Sequence, residues 1–467
     1  MRLVFKFGGV SVSDGEKVRK VAGIVKRFHD EGNSLVVVVS AMQGVTNSLV
    51  DAAAHAGRSK KDHPRKFVDE LVQRHMKAVD AAIQDKAIAE RTKETILSRC
   101  QELRDILLGV AHIGELTPRS RDYIIGFGEK LSAPLLQGAI EDMGVKARAL
   151  TGAEAGIVTD DHFGSAQPLM NVTTMHVRQN VEPLLEEETV VVISGFTAAT
   201  QEGVQTTLGR GGSDFTASLI GASIRAEEVW VWKDVDGLMT ANPKFVKGSK
   251  MIETISFAEA MELAHFGAEV IHPKALECAG KFQLPFRVKS LADPDSQGSL
   301  IVSEVKVKAG DVVKAITNID DVDLITVSGA AMVGTPRLAA KVLQILTDED
   351  IDVLMISQSS SEESITLAIP KEHGSTAQNA LELALLGSKQ VREVSIEAGL
   401  SIIAVVGAGM KGIPGVAARV FGTMAQEGVN IRAIAQGSSE LNISFIVKKQ
   451  DARKAVEALH GHFRLGE

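Results

Sequence analysis

Short runs rich in valine and isoleucine alternate with stretches of helical period through roughly the first three hundred residues. That alternation predicts an α/β sheet with helices on both faces. The runs Leu3–Phe7, Leu35–Ser40, Val145–Leu150, Thr189–Ser194, Glu228–Trp232 and Phe286–Lys289 read as strands. Val36-Val37-Val38-Val39 and Val190-Val191-Val192-Ile193 are apolar at every position, which predicts burial on both faces and hence parallel central strands. From Asp51 to His112 the chain turns helical, charged and poor in glycine, a helical excursion with few motifs. The stretch Leu291-Ala292-Asp293-Pro294-Asp295-Ser296-Gln297-Gly298 is a turn cluster and a candidate domain boundary.

Beyond that cluster the sequence repeats itself. Shifted by 78 residues, Asp323–Ile369 overlays Ser401–Val447 without a gap. Met332 falls on Met410, Gly334 on Gly412, Pro336 on Pro414 and Asp352 on Asn430. Gln358, Ser360, Ser361 and Glu362 fall on Gln436, Ser438, Ser439 and Glu440. Each copy reads strand, turn, helix, strand, strand, and one further strand-like piece, Val312–Asn318, precedes the first.

Length and charge narrow the picture. A chain of 467 residues is too long for one ordinary core, so two or three domains are expected. The 51 basic and 59 acidic residues leave a net charge of -8, which disfavours a nucleic-acid partner. Two cysteines, Cys100 and Cys278, make no disulfide framework and fit a reducing compartment. Met1-Arg2 leads straight into a strand, so no signal segment is expected, and no uncharged apolar run approaches a membrane span. The expectation is a soluble cytoplasmic protein without a membrane contact.

Two glycine-bearing segments carry the chemistry. Lys6-Phe7-Gly8-Gly9 ends the first strand, and Thr206-Thr207-Leu208-Gly209-Arg210-Gly211-Gly212-Ser213-Asp214 runs into the helix-like stretch from Phe215 to Ile220. A strand or turn, then glycines, then a helix start aims backbone N–H groups and a helix dipole at an anion. Each segment also supplies a cation, as a pocket for phosphate and carboxylate requires. Alone, the first could be a turn with a solvated lysine. No Walker GxxxxGK[ST] motif is present, which excludes a P-loop enzyme. Gly407-Ala408-Gly409-Met410-Lys411-Gly412 matches the dinucleotide fingerprint by pattern. About fifty residues follow it, too few for a Rossmann unit, and the repeat copy Gly329-Ala330-Ala331-Met332-Val333-Gly334 lacks the middle glycine. It reads as an amino-acid-binding turn. His265 and His272 read as structural and Trp230 and Trp232 as packing residues, and no metal site is expected.

With Ser40-Ala41-Met42-Gln43-Gly44-Val45-Thr46-Asn47 and Gly126-Phe127-Gly128-Glu129-Lys130, these segments resemble the amino-acid kinase superfamily, most closely the aspartate kinases. The tail repeat resembles the ACT domain, a small amino-acid-sensing module. The resemblance implies an α/β kinase sandwich with a mainly parallel sheet over 1–300, followed by two ferredoxin-like α+β ACT units. The first, 319–393, would be inserted within the second, 305–318 plus 394–467. It implies phosphoryl transfer from ATP, with its Mg²⁺, to the β-carboxylate of L-aspartate, the first step towards lysine, threonine and methionine. Lys6 and Asp214 would be catalytic. Ser40, Thr46, Glu129, Arg210 and Ser213 would hold the amino acid, Arg210 at its α-carboxylate and Glu129 at its amino group. Lys6, Gly8, Gly9, Gly211, Gly212, Lys233, Asp234 and Lys244 would hold the nucleotide. Met332, Gln358, Ser360, Asn430, Gln436 and Ser438 would read an effector, threonine or lysine, in at least a homodimer. The family pattern is broken at Val10, which usually is threonine, and at Glu269, often lysine. Met239, Asn242 and Lys244 replace residues that commonly are tyrosine, aspartate and arginine. A sibling kinase for glutamate or acetylglutamate would share the glycine loops, and an inactive amino-acid sensor would share the repeat.

Overall fold

The computed structural model describes residues 1–58, 62–267, 271–305, 312–329, 336–358, 364–386 and 391–466. The chain divides into two compact units. One comprises Met1–Leu238, Glu253–Phe257 and Val270–Glu304, the other Met239–Ile252, Ala258–Glu269 and Val305–Glu467.

An eight-stranded sheet centres the first unit. Its strands lie side by side in the order Ala147–Leu150, Val190–Ser194, Ser34–Val39, Arg2–Phe7, Glu228–Lys233, Phe286–Ser290, Ser299–Val302 and Thr254–Ser256. The six strands read from the sequence are all present, and each neighbouring pair among them is parallel. Val36 to Val39 and Val190 to Ile193 are wholly buried, as continuous apolar runs in a doubly covered sheet must be. Ser299–Val302 pairs antiparallel with Phe286–Ser290. The turn cluster from Leu291 to Gly298 is therefore a hairpin connection inside the first unit, a correction to its reading as a boundary. Aspartate, proline and glycine mark a reversal of the chain, and hairpin and linker share that composition. The excursion is helical as expected, with helices Val45–Gly57, Asp62–Ala82 and Lys86–Ile113. A three-stranded sheet of Val158–Thr159, Thr197–Thr200 and Gln205–Thr207 was not foreseen, since its strands are two to four residues long.

The second unit holds a six-stranded sheet in the order Met355–Gln358, Ser364–Pro370, Ala315–Ser328, Glu393–Val406, Asn442–Lys448, Ala433–Ala435. Its two central strands are 14 residues long, and their register breaks between Ile319 and Leu324. There Asp321 has φ 57° and, on the facing strand, Gly399 has φ 77°. On one side of the break, Ala315–Ile319 pairs with Ile402–Val406, which pairs in turn with Asn442–Lys448. On the other side, Val322–Ser328 pairs with residues 393–400 and with Ser364–Pro370. Each half has its own core. Ile325, Val342, Leu367 and Leu381 serve one, and Ile403, Val420, Phe445 and Val456 the other. Val391 and Val394 pack into the core of the first, so the chain changes from one half to the other near Gly399 rather than at residue 393. Met239–Ile252 belongs with this unit because Ile316 N–H donates to Thr240 O at 2.9 Å, while Ala241 and Val246 enter the second core. Among the described residues, no helix is long and apolar enough to cross a membrane.

Trp230 and Trp232 confirm their packing role. Phe5 stacks on Trp230 at 5.1 Å and meets Trp232 edge-on at 5.5 Å, with Phe7 and Phe28 completing the cluster. Phe5→Ala is expected to lower stability by about 3–5 kcal/mol. Denaturant unfolding followed by tryptophan emission checks this directly, since both tryptophans of the chain lie against Phe5.

Candidate active site

The carboxyl ends of the parallel strands open into a cavity of about 610 Å³. The strand Arg2–Phe7 delivers Lys6, and Ser34–Val39 delivers the loop that starts at Ser40. Ligands collect at this edge of α/β sheets because strand ends and helix starts converge there. Gly9 lets the two loops touch: a side chain there would lie 2.8 Å from Ala41 O, and Gln43 N–H donates to Gly9 O at 3.1 Å. From the small sheet the chain passes through Gly209 and Gly211, with φ 75° and 69°, into helix Gly212–Ser223. Only glycine accepts such angles without strain, and a side chain at Gly211 would collide with the His272 ring.

Lys6, Gly9, Ser40, Thr46, Glu129, Arg210, Gly211, Gly212, Ser213 and Asp214 all line this cavity. Gly8 lies beside the Lys6 ammonium, 3.6 Å from where its own side chain would begin. Lys233 is half-buried at the end of its strand and Asp234 is exposed just beyond it; neither lines the cavity. Lys244, with Met239 and Asn242, belongs to the second unit, where it is exposed and its N–H donates to Asn242 Oδ1 at 3.0 Å. Glu269, Met332 and Ser360 lie outside the described residues. Gln358 ends the edge strand Met355–Gln358, while Asn430, Gln436 and Ser438 flank the opposite edge strand Ala433–Ala435; all four are exposed. The two edges approach each other, with Ser357 Oγ donating to Ile434 O at 3.3 Å.

Electrostatics divide the cavity. Lys6 Nζ and Asp214 Oδ1 form an ion pair of 2.6 Å with both side chains buried. Burial alone would raise the Asp214 pKa, but Lys6, Lys233 and the His272 N–H together hold it below the ordinary value. Glu129, in the first turn of helix Phe127–Glu141, behaves oppositely. Burial pushes its pKa up to about 8 against the pull of the Ala41 N–H and of Lys6, and its Oε2 has no hydrogen-bond partner among the described residues. A buried unpartnered carboxyl oxygen facing a cavity is a receptor for a cation or a donor.

Some of the wall was not read from the sequence. Arg121, Gly164 and Phe196 also line the cavity, and Arg74 of the helical excursion donates to Gln43 O at 2.8 Å. His272 keeps its structural reading: its ring caps helix Pro273–Lys281 by accepting the Lys274 N–H at 3.3 Å, and its backbone N–H donates to Asp214 Oδ2 at 3.4 Å. Phe196 carries a signal only in the structure, φ 68° in a non-glycine residue.

The raised Glu129 pKa has a stability consequence. Its proton is held more tightly folded than unfolded, so the stabilisation of the neutral form is complete below the ordinary value near 4.5 and is lost as pH climbs to about 8. Without ligand, Glu129→Gln should match the parent protein near pH 4.5 and become progressively more stable than it up to about pH 8, then level off. Thermal melts across that range measure the difference; a pH-independent gap would mean that Glu129 titrates normally.

Comparison with known proteins agrees with this geometry. The amino acid kinase family model matches residues 1–290, and the ACT domain model matches 325–385 and 403–463, two segments starting 78 residues apart. A Geobacillus stearothermophilus aspartokinase is 32% identical over all of this chain and 98% of its own length. A Zea mays bifunctional aspartokinase/homoserine dehydrogenase is 32% identical over 99% of the chain, but the chain spans about half the length of such bifunctional relatives. Among solved structures, E. coli aspartokinase III with lysine and aspartate superimposes with TM-score 0.84 at 30% identity, covering 99% of both chains. The same enzyme with aspartate and ADP gives 0.80 at 29%, again over 99% of both. Family models, full-length relatives and fold concur: this chain belongs to the amino acid kinase family, among the aspartokinases with C-terminal ACT domains.

Proposed function

We propose that the chain is an aspartate kinase, which transfers the γ-phosphoryl group of ATP to the β-carboxylate of L-aspartate and yields ADP and 4-phospho-L-aspartate. The observation that carries this reading is one cavity holding a buried Lys6–Asp214 pair, a glycine-rich helix start, and the Glu129 carboxyl with Arg210. The E. coli neighbour's complex with aspartate and ADP supports it.

The acceptor is an aspartate side chain, ionised at neutral pH, so no general base is needed. The barrier lies in bringing one anion against a polyanion, and positioning and charge neutralisation lower it. Lys6 meets the transferring phosphoryl group, with Asp214 fixing its ammonium. The amides after Gly8, Gly9, Gly211 and Gly212 receive phosphate oxygens, and Mg²⁺ enters as part of the nucleotide substrate. Lys233 and Asp234 are assigned to the nucleotide side in this proposal. Arg210 takes the α-carboxylate and Glu129 the amino group, while Ser40, Thr46 and Ser213 direct the reacting end. An arriving ammonium beside Glu129 favours its ionised form, so acceptor binding displaces the proton that burial retains.

The tail is proposed as two nested ACT units that sense an end-product amino acid. Support comes from two half-sheets with separate cores and from the approach of two edge strands, one ending at Gln358 and the other flanked by Gln436. Asn430 and Ser438 flank the second of these, and Met332 and Ser360 complete the proposed set. The lysine complex of the E. coli neighbour supports lysine beside threonine. The cytoplasmic location and a homodimer or larger assembly remain part of this proposal.

An ATP-dependent hydroxamate assay over a panel of amino acids tests the reaction. Aspartate should be phosphorylated and glutamate should lag by on the order of a hundredfold, because one methylene misplaces the reacting carboxylate when both α-groups are clamped. Arg210→Ala should chiefly raise the aspartate KM through loss of a contact worth roughly 1.5–3 kcal/mol. Lys6→Ala should chiefly lower kcat. Equal turnover of aspartate and glutamate would sink the assignment.

Effector titration of the same assay tests the tail. Threonine or lysine should inhibit the parent protein, and Gln358→Ala/Gln436→Ala should weaken that inhibition while leaving uninhibited turnover intact. Full inhibition retained in the double variant would remove the two glutamines from the effector site.

A further inference from the structure

Asp122 lies outside every motif discussed above, yet its carboxylate joins three segments of the cavity wall. It sits on helix Pro118–Ile125, the helix before the one that carries Glu129, and is fully buried. Its Oδ2 accepts the Gly164 N–H at 2.9 Å and the Thr207 N–H at 2.9 Å. Gly164 itself lines the cavity, and Thr207 ends the short strand that leads through Gly209 to Arg210. A side chain at Gly209 would meet Gly164 O at 3.0 Å, so the two joined loops are also in contact with each other. The neighbours of Asp122 on the open face of its helix, Arg121 and Ile125, are themselves cavity residues. Gln205 adds a second tie between the same strand and helix: its Nε2 donates to Asp122 O at 3.1 Å and Tyr123 O at 3.2 Å.

A surface helix of eight residues needs no buried acid for its own sake. Burial pushes the Asp122 pKa upward, against the Gly164 and Thr207 donors and Arg121, so the fold keeps this acid where its charge is disfavoured. Two loops whose glycines give them freedom are thereby tied to one helical anchor. We propose that Asp122 is a positioning residue for acceptor binding, fixing the Arg210 loop relative to the helices that bear Arg121 and Glu129. This rests on the aspartate kinase reading for the identity of the acceptor. The nucleotide-side residues that follow Arg210, Gly211 to Asp214, are held separately by their own helix and by the Lys6 and His272 contacts of Asp214, so the effect should fall chiefly on the acceptor and much less on ATP.

The experiment is steady-state kinetics of the full chain, varying aspartate and ATP separately, for Asp122→Ala, Asp122→Asn and Gln205→Leu. Asp122→Ala should raise the aspartate KM by about tenfold or more, as expected for a binding group displaced by a fraction of an ångström to 1 Å, with the ATP KM changed less than about twofold. The amide oxygen of Asp122→Asn can accept both N–H groups, so it should restore most of the loss. Gln205→Leu should move the aspartate KM the same way by a smaller factor. A uniform fall in kcat with both KM values unchanged, or an Asn variant as impaired as the Ala variant, would overturn the proposal. Should Asp122→Ala not fold, a folded Gln205→Leu with the parent's aspartate KM would overturn it equally. If the parent protein fails to phosphorylate aspartate but accepts another amino acid, the substrate reading falls, and the same comparison on that acceptor still decides the role of Asp122.

Discussion

Lys6 and Asp214 come from the first strand of the sheet and from a helix some two hundred residues later, and at their depth neither charge is tenable without the other. An isolated ion in a protein interior costs several kcal/mol in lost hydration, so removing one partner of such a pair costs about 3–5 kcal/mol. The pair therefore does more than add an attraction. It obliges the Arg2–Phe7 strand end and the Gly211 helix start to meet, which brings two glycine loops together around one ammonium. Lys233 and the His272 backbone N–H bias the same carboxylate toward its ionised form, which favours the charge-separated pair.

What the sequence disclosed followed from how locally each feature is determined. Val36 to Val39 and Val190 to Ile193 declared parallel central strands because every position must be apolar when both faces are covered. Gly211 and Gly9 were legible because backbone angle and close approach permit nothing larger. Asp122 was not legible: an acid in the middle of a helical stretch looks solvated until Gly164 and Thr207 arrive from elsewhere in the chain. The threonine-rich strands Thr197–Thr200 and Gln205–Thr207 likewise offered no apolar run to mark them, because their pairing partners supply the order. Near residue 393 the repeat gave the number of units but not the point of exchange, since one continuous strand, Glu393–Val406, serves both halves. Gly399 marks that exchange by a positive φ, a property that composition does not reveal.

Under the proposed function, Glu129 and Arg210 would separate binding from chemistry on the acceptor side. Arg210 stays at the exposed rim, where hydration keeps a permanent charge affordable and lets it meet a carboxylate early. Glu129 waits inside, mostly protonated at neutral pH because burial raises its pKa to about 8. A neutral acid next to Lys6 neither attracts stray cations nor opposes an approaching dicarboxylate. In that proposal its charge would develop once an ammonium is beside it, and a ligand lacking that group would leave it neutral and gain little. Discrimination then depends on which charged groups arrive together, which is a stricter test than anion binding by the glycine loops alone.

The same economy of connection governs the second unit. Ala315–Ser328 and Glu393–Val406 each run unbroken from one half-sheet to the other, interrupted only by the register break near Asp321 and Gly399. Two domains joined by a flexible linker would dissipate a local rearrangement, whereas continuous paired strands transmit twist from one half to the next. A backbone bulge is the one place where such a ribbon bends at low cost, since its unpaired residues give up no further ladder hydrogen bonds. Asp321 is held there by Lys449 of the second half at 2.8 Å, an exposed ion pair that carries little stability but names the joint. Under the proposed effector reading, a change at Gln358 or Gln436 has two routes between the halves, this joint and the direct approach of the edge strands at Ser357 and Ile434.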